Sequence, residues 1–219
     1  MTDRQATDLA AMLCSRLCHD MLSPVGAMSN GLELLAMETD AEMRKNVMQL
    51  LEQSASISTN KLKFFRLAFG AAGGFGDHVD VEEPKALIAA LVADKNGVTI
   101  NWALADRTLG KPAIKVLLNF AQIAIDAVVR GGTLDIGAER RDGACEIVVR
   151  AAGPRIAFDD TIGHALDGSL DPAELSSRTA AAHMIALLAA ENGGGLQYAK
   201  TGDTLVLGAI LPEGEGLIG

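Results

Sequence analysis

Aromatic side chains are scarce in this 219-residue chain, only 4% of its residues, with a single Trp and a single Tyr. The core must therefore be built from aliphatic side chains, which a composition that is 49% hydrophobic readily supplies. Basic residues are the minority, 19 Lys and Arg against 28 Asp and Glu, giving a formal net charge of -9. That balance argues against nucleic acid or an anionic membrane as partner, since both demand a basic footprint. Cysteines are few and odd in number, Cys14, Cys18 and Cys145, and no secretory apolar stretch follows Met1-Thr2-Asp3-Arg4. This points to a reducing cytoplasm rather than a disulfide framework. Apolar runs are short as well. The two longest, Ala86 to Ala93 and Ala180 to Ala190, fall well below the roughly 20 residues of a membrane span, and the second contains His183. No membrane helix is expected.

The length admits one large domain or two small ones. Two long helical patterns, from about residue 5 to 37 and 40 to 69, are separated by Glu38-Thr39-Asp40, where Thr39 or Asp40 can serve as N-cap. They read as a helical hairpin. The glycine cluster Gly70 to Gly76 then marks a change of character, so a boundary is placed between residues 72 and 73. Beyond it the patterns predict helices over Pro84–Ala93, Ala113–Val129 and Ser177–Glu191. Strands are predicted over Val98–Ala103, Thr133–Arg140, Ala144–Arg150, Gly195–Ala199 and Thr204–Leu211, with turns at Arg141-Asp142-Gly143 and Gly202-Asp203. The fold class expected is α+β: a hairpin domain over 1–72, then an α/β sandwich over 73–219 with helices on one face of a mixed sheet.

At about 100° per residue, Leu13, Leu17, Met21, Pro24, Met28 and Leu35 fall together on the first helix, and Cys14, Cys18, Leu22, Val25 and Leu32 widen the arc. The second helix is equally broad, with Met43, Val47, Leu50, Leu51, Ile57, Leu62, Phe65 and Phe69. One hairpin leaves much of both arcs in water, whereas two hairpins paired as a four-helix bundle cover them. A homodimer is predicted. Cys14 and Cys18 share a face, but with no further ligand nearby they read as packing residues and not a metal pair. Trp102 reads as core and His183, in an alanine-rich helix, as structural.

His19 lies near the middle of the opposite, polar face, with Ser15, Ser23, Gly26 and Asn30 beside it and Arg16 and Asp20 towards one edge. Exposed histidines are ordinarily solvated surface residues; the neighbourhood of this one sets it apart. Arg16-Leu17-Cys18-His19-Asp20-Met21-Leu22-Ser23-Pro24 has the form H-[DE]-x-x-x-P. A neutral imidazole nitrogen is nucleophilic, needs open space for in-line attack on phosphorus, and needs its proton managed by a nearby acid. Pro24 lacks an amide hydrogen and clashes with the carbonyl of Asp20, bending the helix one turn past the histidine.

This segment resembles the phosphoacceptor box of sensor histidine kinases. The resemblance continues: Val116 to Ala127 followed by Gly131-Gly132-Thr133-Leu134 is similar to the N-box helix of the kinase ATP-binding domain. Val148 to Ile156 is similar to its D-x-G-x-G strand and loop, and Ala182 to Leu196 to the helix after the glycine-rich lid. The departures are informative. Ile123 stands where kinases place the Mg²⁺-holding asparagine, Ala151 where they place the adenine-reading aspartate, and Arg155 at the second glycine. Ser176-Ser177-Arg178-Thr179 replaces the lid that cradles phosphates. Metal ligand, base contact and phosphate cradle are all missing, so no use of ATP is expected.

The whole combination resembles the ChpT-type histidine phosphotransferases of alphaproteobacteria, most closely at Arg16 to Asp20, Ser23-Pro24, Gly31-Leu32, Arg66 to Ala71 and Val116 to Asn119. That resemblance implies a dimeric, cytoplasmic phosphotransferase with a degenerate kinase-like domain. It would relay phosphate through His19 between the receiver domain of a hybrid histidine kinase and response-regulator receivers governing the cell cycle. It implies Nε2 as the phosphorylated atom and no cofactor of its own, Mg²⁺ being supplied by the receiver. Asp20 would orient the imidazole or influence reverse transfer. Ser15, Arg16, Leu22 and Ser23, with Lys61 and Phe64 of the second helix, are the candidate receiver contacts, Leu22 and Phe64 being equally suited to the bundle core. Two rival readings stay open: an atypical kinase that would load His19 from ATP, and a pseudokinase scaffold that binds receivers without carrying phosphate.

Overall fold

A computed structural model describes residues 2–70, 77–93 and 95–213. The chain divides into two compact units, Met1–Phe65 and Arg66–Gly219. The architecture is α+β, an N-terminal helical hairpin and an α/β sandwich. The boundary expected between residues 72 and 73 lies outside the described residues.

Helix α1 spans Asp3–Met37 and continues through Pro24. Thr2 starts it with a capping box: its hydroxyl accepts from the Gln5 amide, and the Gln5 side chain accepts from the Thr2 amide. The turn into α2, Ala41–Phe69, is closed by three side chains. The Glu38 carboxylate accepts the amides of Thr39 and Asp40, and Asp40 caps α2 by accepting from Met43 at 2.8 Å. Arg44 donates to the carbonyls of Leu35 and Glu38 at 2.7 and 2.9 Å, satisfying acceptors that the end of α1 leaves open. At Gly31 of α1 an added Cβ would lie 2.9 Å from Leu51 Cδ2 of α2. A side chain there would require Leu51 to shift.

The second unit runs β1 (His78–Asp80), α3 (Glu82–Val92), β2 (Val98–Leu104), β3 (Thr108–Gly110), α4 (Lys111–Ala127), β4 (Gly132–Arg141) and β5 (Ala144–Ala152). Then come α5 (Asp160–Asp167), a 3-10 turn at Pro172–Glu174, α6 (Ala180–Glu191), β6 (Gly195–Thr201) and β7 (Thr204–Pro212). Five strands form one sheet in the order β2-β4-β5-β7-β6, with β2 parallel to β4 and every other pair antiparallel. Registration aligns Trp102, Ile136, Val149, Leu207 and Tyr198 in one row across all five strands. Ile136, Val149 and Leu207 of that row are buried, and α4 packs on β5 and β7 with Ile114, Leu117, Leu118, Phe120 and Ile125 buried. Aliphatic burial of this kind is the main stabilising contribution, about 25 cal/mol per Å² of apolar surface.

Two features were not foreseen from the pattern: the small antiparallel pair β1/β3 and helix α5. Helix α6 begins at Ala180 and not at Ser177, because Ser176 to Thr179 close on themselves: the Ser176 amide donates to Thr179 Oγ1 at 3.0 Å. Trp102, expected in the core, is half-buried at the edge strand β2, with Lys85 Nζ 5.9 Å from its ring centroid. Gly131 and Gly132 carry φ of 78° and 148°, and a Cβ on Gly131 would lie 2.7 Å from the Gly97 carbonyl oxygen. Side chains are thereby barred from the entry to β4. No helix among the described residues is long and apolar enough to cross a membrane.

Candidate functional site

On α1 the residues at three- and four-residue steps from His19 are Ser15, Arg16, Leu22 and Ser23, so helical geometry alone collects them around it. The His19 side chain is 86% exposed. Its Nδ1 faces Asp20 Oδ1 at 3.3 Å, and the other Asp20 oxygen lies 3.8 Å from Arg16 Nε. An ionised carboxylate only accepts, so this contact favours the proton on Nδ1 and leaves the Nε2 lone pair to solvent. Ser15, Leu22 and Ser23 are exposed, Leu22 by 70%, and Arg16 is partly covered.

Lys61 reaches this group from the second helix. Its Nζ donates to the main-chain carbonyl of Asp20 at 2.8 Å from a half-buried position. Phe64 does not join the site. It is 2% exposed and meets Phe65 edge-on with ring centroids 6.0 Å apart, so it is a core side chain and cannot contact a receiver. Phe65 beside it is buried as well.

Cys14 and Cys18, read as packing residues, are exposed within one chain. Among the described residues, no group of three or more His, Cys, Asp or Glu side chains is placed to hold a metal ion. His183 sits half-buried on α6, and burial pulls its pKa below the usual imidazole value.

Residues 81–204 match the family described as histidine phosphotransferase C-terminal domain. A protein named protein phosphotransferase ChpT, from Brucella abortus (strain 2308), is 32% identical over 204 residues, covering 93% of this chain and 96% of that protein. The chain belongs to the histidine phosphotransferase family. A solved structure of a bacterial phosphotransferase matches this histidine phosphotransferase with a TM-score of 0.79 at 32% identity, over 93% of this chain and 96% of that one.

The positions at which the sequence of this phosphotransferase departs from the kinase pattern lie on α4, on β5 and in the segments after them. Ile123 is half-buried on α4, and Ala151 is fully buried on β5 between its strand partners Leu134 and Leu205. Arg155 is exposed. In the lid position, the amides of Thr179 and Ala180 donate to the Ser176 carbonyl at 3.1 and 2.9 Å, and Arg178 pairs with Asp159 at 3.0 Å. Both amides are thus turned to one internal acceptor. The Thr161 hydroxyl, and then Arg178, hold the Asp159 carboxyl below the usual carboxylate range.

Proposed function

We propose that this chain carries a phosphoryl group on His19 Nε2, taking it from the aspartyl phosphate of one receiver domain and giving it to the aspartate of another. The P–O bond to the first aspartate breaks as the N–P bond forms; the return step reverses this. The observation that carries the reading is the exposed His19 ring with Nδ1 turned to Asp20 and Nε2 open to an incoming partner. Phosphoryl transfer depends mainly on positioning and charge stabilisation, both of which docking two proteins supplies. Membership of the histidine phosphotransferase family supports the same chemistry.

Receivers dock on the polar flank of α1, over Ser15, Arg16, Leu22 and Ser23, and bring the Mg²⁺ of their own acidic cluster. ATP is not the phosphoryl source, a reading supported by Ile123, Ala151, Arg155 and the self-closed Ser176 to Thr179 segment. Two copies pair through their hairpins. In support, Leu32 is 60% exposed on α1, and Met43, Met48, Leu50 and Leu62 are exposed on α2, more apolar surface than a lone hairpin covers.

The test is to mix the purified protein with a receiver carrying radiolabelled phosphate. Label on the wild type and none on His19→Ala is expected, with no label taken from γ-labelled ATP. Wild type that stays unlabelled across several receivers overturns the relay, and label taken directly from ATP restores the kinase reading.

A further inference from the structure

Pro24 sits inside α1, and having no N–H it cannot donate to the carbonyl four residues back, that of Asp20. An acceptor orphaned inside a helix is destabilising unless another donor arrives. Here the donor is Lys61 Nζ, 41 residues away on the facing helix, 2.8 Å from the Asp20 oxygen. The ammonium is half-buried and turned onto main chain, whereas a lysine serving only as a docking contact would extend its head into water.

The same residue, Asp20, carries the carboxylate that touches His19 Nδ1 and faces Arg16. Holding its peptide therefore holds the carboxylate, and the carboxylate sets which imidazole nitrogen is protonated. We infer that Lys61 is a positioning residue for phosphoryl exchange: it replaces the amide that Pro24 lacks and so keeps the Asp20–His19 pair in the arrangement that leaves Nε2 unprotonated. This rests on His19 being the phosphoryl carrier, as proposed above. Pro24 and Lys61 are then one device, the proline opening an acceptor beside the histidine and the lysine closing it from the second helix.

A double-mutant cycle separates this role from receiver docking. Single-turnover transfer from a phosphorylated receiver is measured over a range of receiver concentrations for wild type, Lys61→Met, Pro24→Ala and the double variant. Lys61→Arg, which keeps a donor, serves as the rescue, and circular dichroism checks folding. Lys61→Met should lower the maximal rate about 10-fold with little change in half-saturating receiver concentration, since small misplacements cost that much or more. Lys61→Arg should recover most of the rate. The Pro24→Ala change restores an amide that can donate to the Asp20 carbonyl, so in that background removing Lys61 should cost less than about twofold. Equal losses in both backgrounds, or a raised half-saturating concentration at unchanged maximal rate, overturn the inference and make Lys61 a docking residue.

A second readout does not depend on transfer. The ¹⁵N shifts of the His19 ring should report an Nδ1–H tautomer in wild type and a mixture in Lys61→Met. An unchanged tautomer overturns the inference even if no receiver is found and leaves the relay reading untouched, whereas a wild type that takes up no label defeats the relay reading and with it the role of Lys61 in exchange.

Discussion

Asp20 Oδ1 stands 3.3 Å from His19 Nδ1, the two side chains reaching each other from consecutive positions of one helix. The contact is polar and solvent-facing, so its worth lies in orientation more than in energy. Asp20→Asn keeps the shape and removes the charge. It should slow phosphoryl uptake about 10-fold, below the usual range for general acid–base groups because the pair is open to water. Uptake at the wild-type rate, measured in single turnover, would show that Asp20 does no orienting.

The uncovered apolar side chains of the hairpin make a prediction about mass. Leu32→Glu combined with Met48→Glu places charges where a second hairpin is proposed to pack. Sedimentation equilibrium should give twice the chain mass for wild type and the single-chain mass for the variant. Wild type sedimenting as a single chain at micromolar concentration would sink the dimer.

Gly163 lies under the ring of Tyr198, where an added Cβ would collide with the ring carbon and hydroxyl. Tyr198 is also packed against Phe158, centroids 5.5 Å apart, and so has little room to yield. Gly163→Ala should cost about 1–3 kcal/mol in urea unfolding, the usual toll of overpacking. A change below about 0.5 kcal/mol would mean that the ring swings away freely.

His183 gives the C-terminal unit a pH dependence of predictable sign. Burial disfavours the charged imidazole, so its pKa in the folded chain is lowered from 6.5. The unfolded chain then binds the proton more readily, and stability from this group is complete above 6.5 and lost as pH falls through the folded value. His183→Gln should therefore narrow the stability gap between about pH 7.5 and about pH 5, read from urea unfolding at the two pH values. An identical gap in both proteins would rule out the histidine as its source.

Much of the fold was legible because its elements are long and periodic. The hairpin break at Glu38-Thr39-Asp40 announced itself through its capping residues, and both the Glu38 and Asp40 side chains cap as their chemistry suggests. What escaped lacked a period. Strands β1 and β3 have three residues each and find one another across some 30 residues, so nothing local marks them. Helix α5 is eight residues long with a glycine in its middle; only its ends, the Asp159 cap and the left-handed Gly168, betray it.

The site divides in the same way. His19, Asp20 and Arg16 are neighbours on one helix, so their association follows from helical geometry. The vacancy at the Asp20 carbonyl was equally readable from Pro24. Which residue fills it was not, since that depends on the register of α2 against α1, and hydrophobic periodicity fixes the facing stripe without fixing the axial offset. Phe64 was left open between docking contact and core for a related reason: it points about 100° away from Phe65, and a single stripe could hold only one of them.

Strand β7 lies between β5 and β6, and β6 has no other strand partner among the described residues. Both of its neighbours precede it in the chain, so the sheet cannot close until β7 has been made. During synthesis, β4 and β5 can pair as a local hairpin while β6 waits unpaired, and Leu205, Leu207 and Leu211 arrive last to seal the core. The nascent domain therefore exposes an unfinished edge until β7, Thr204–Pro212, has been made and has left the ribosome. Premature termination before that point would yield an aggregation-prone fragment and not a smaller working domain.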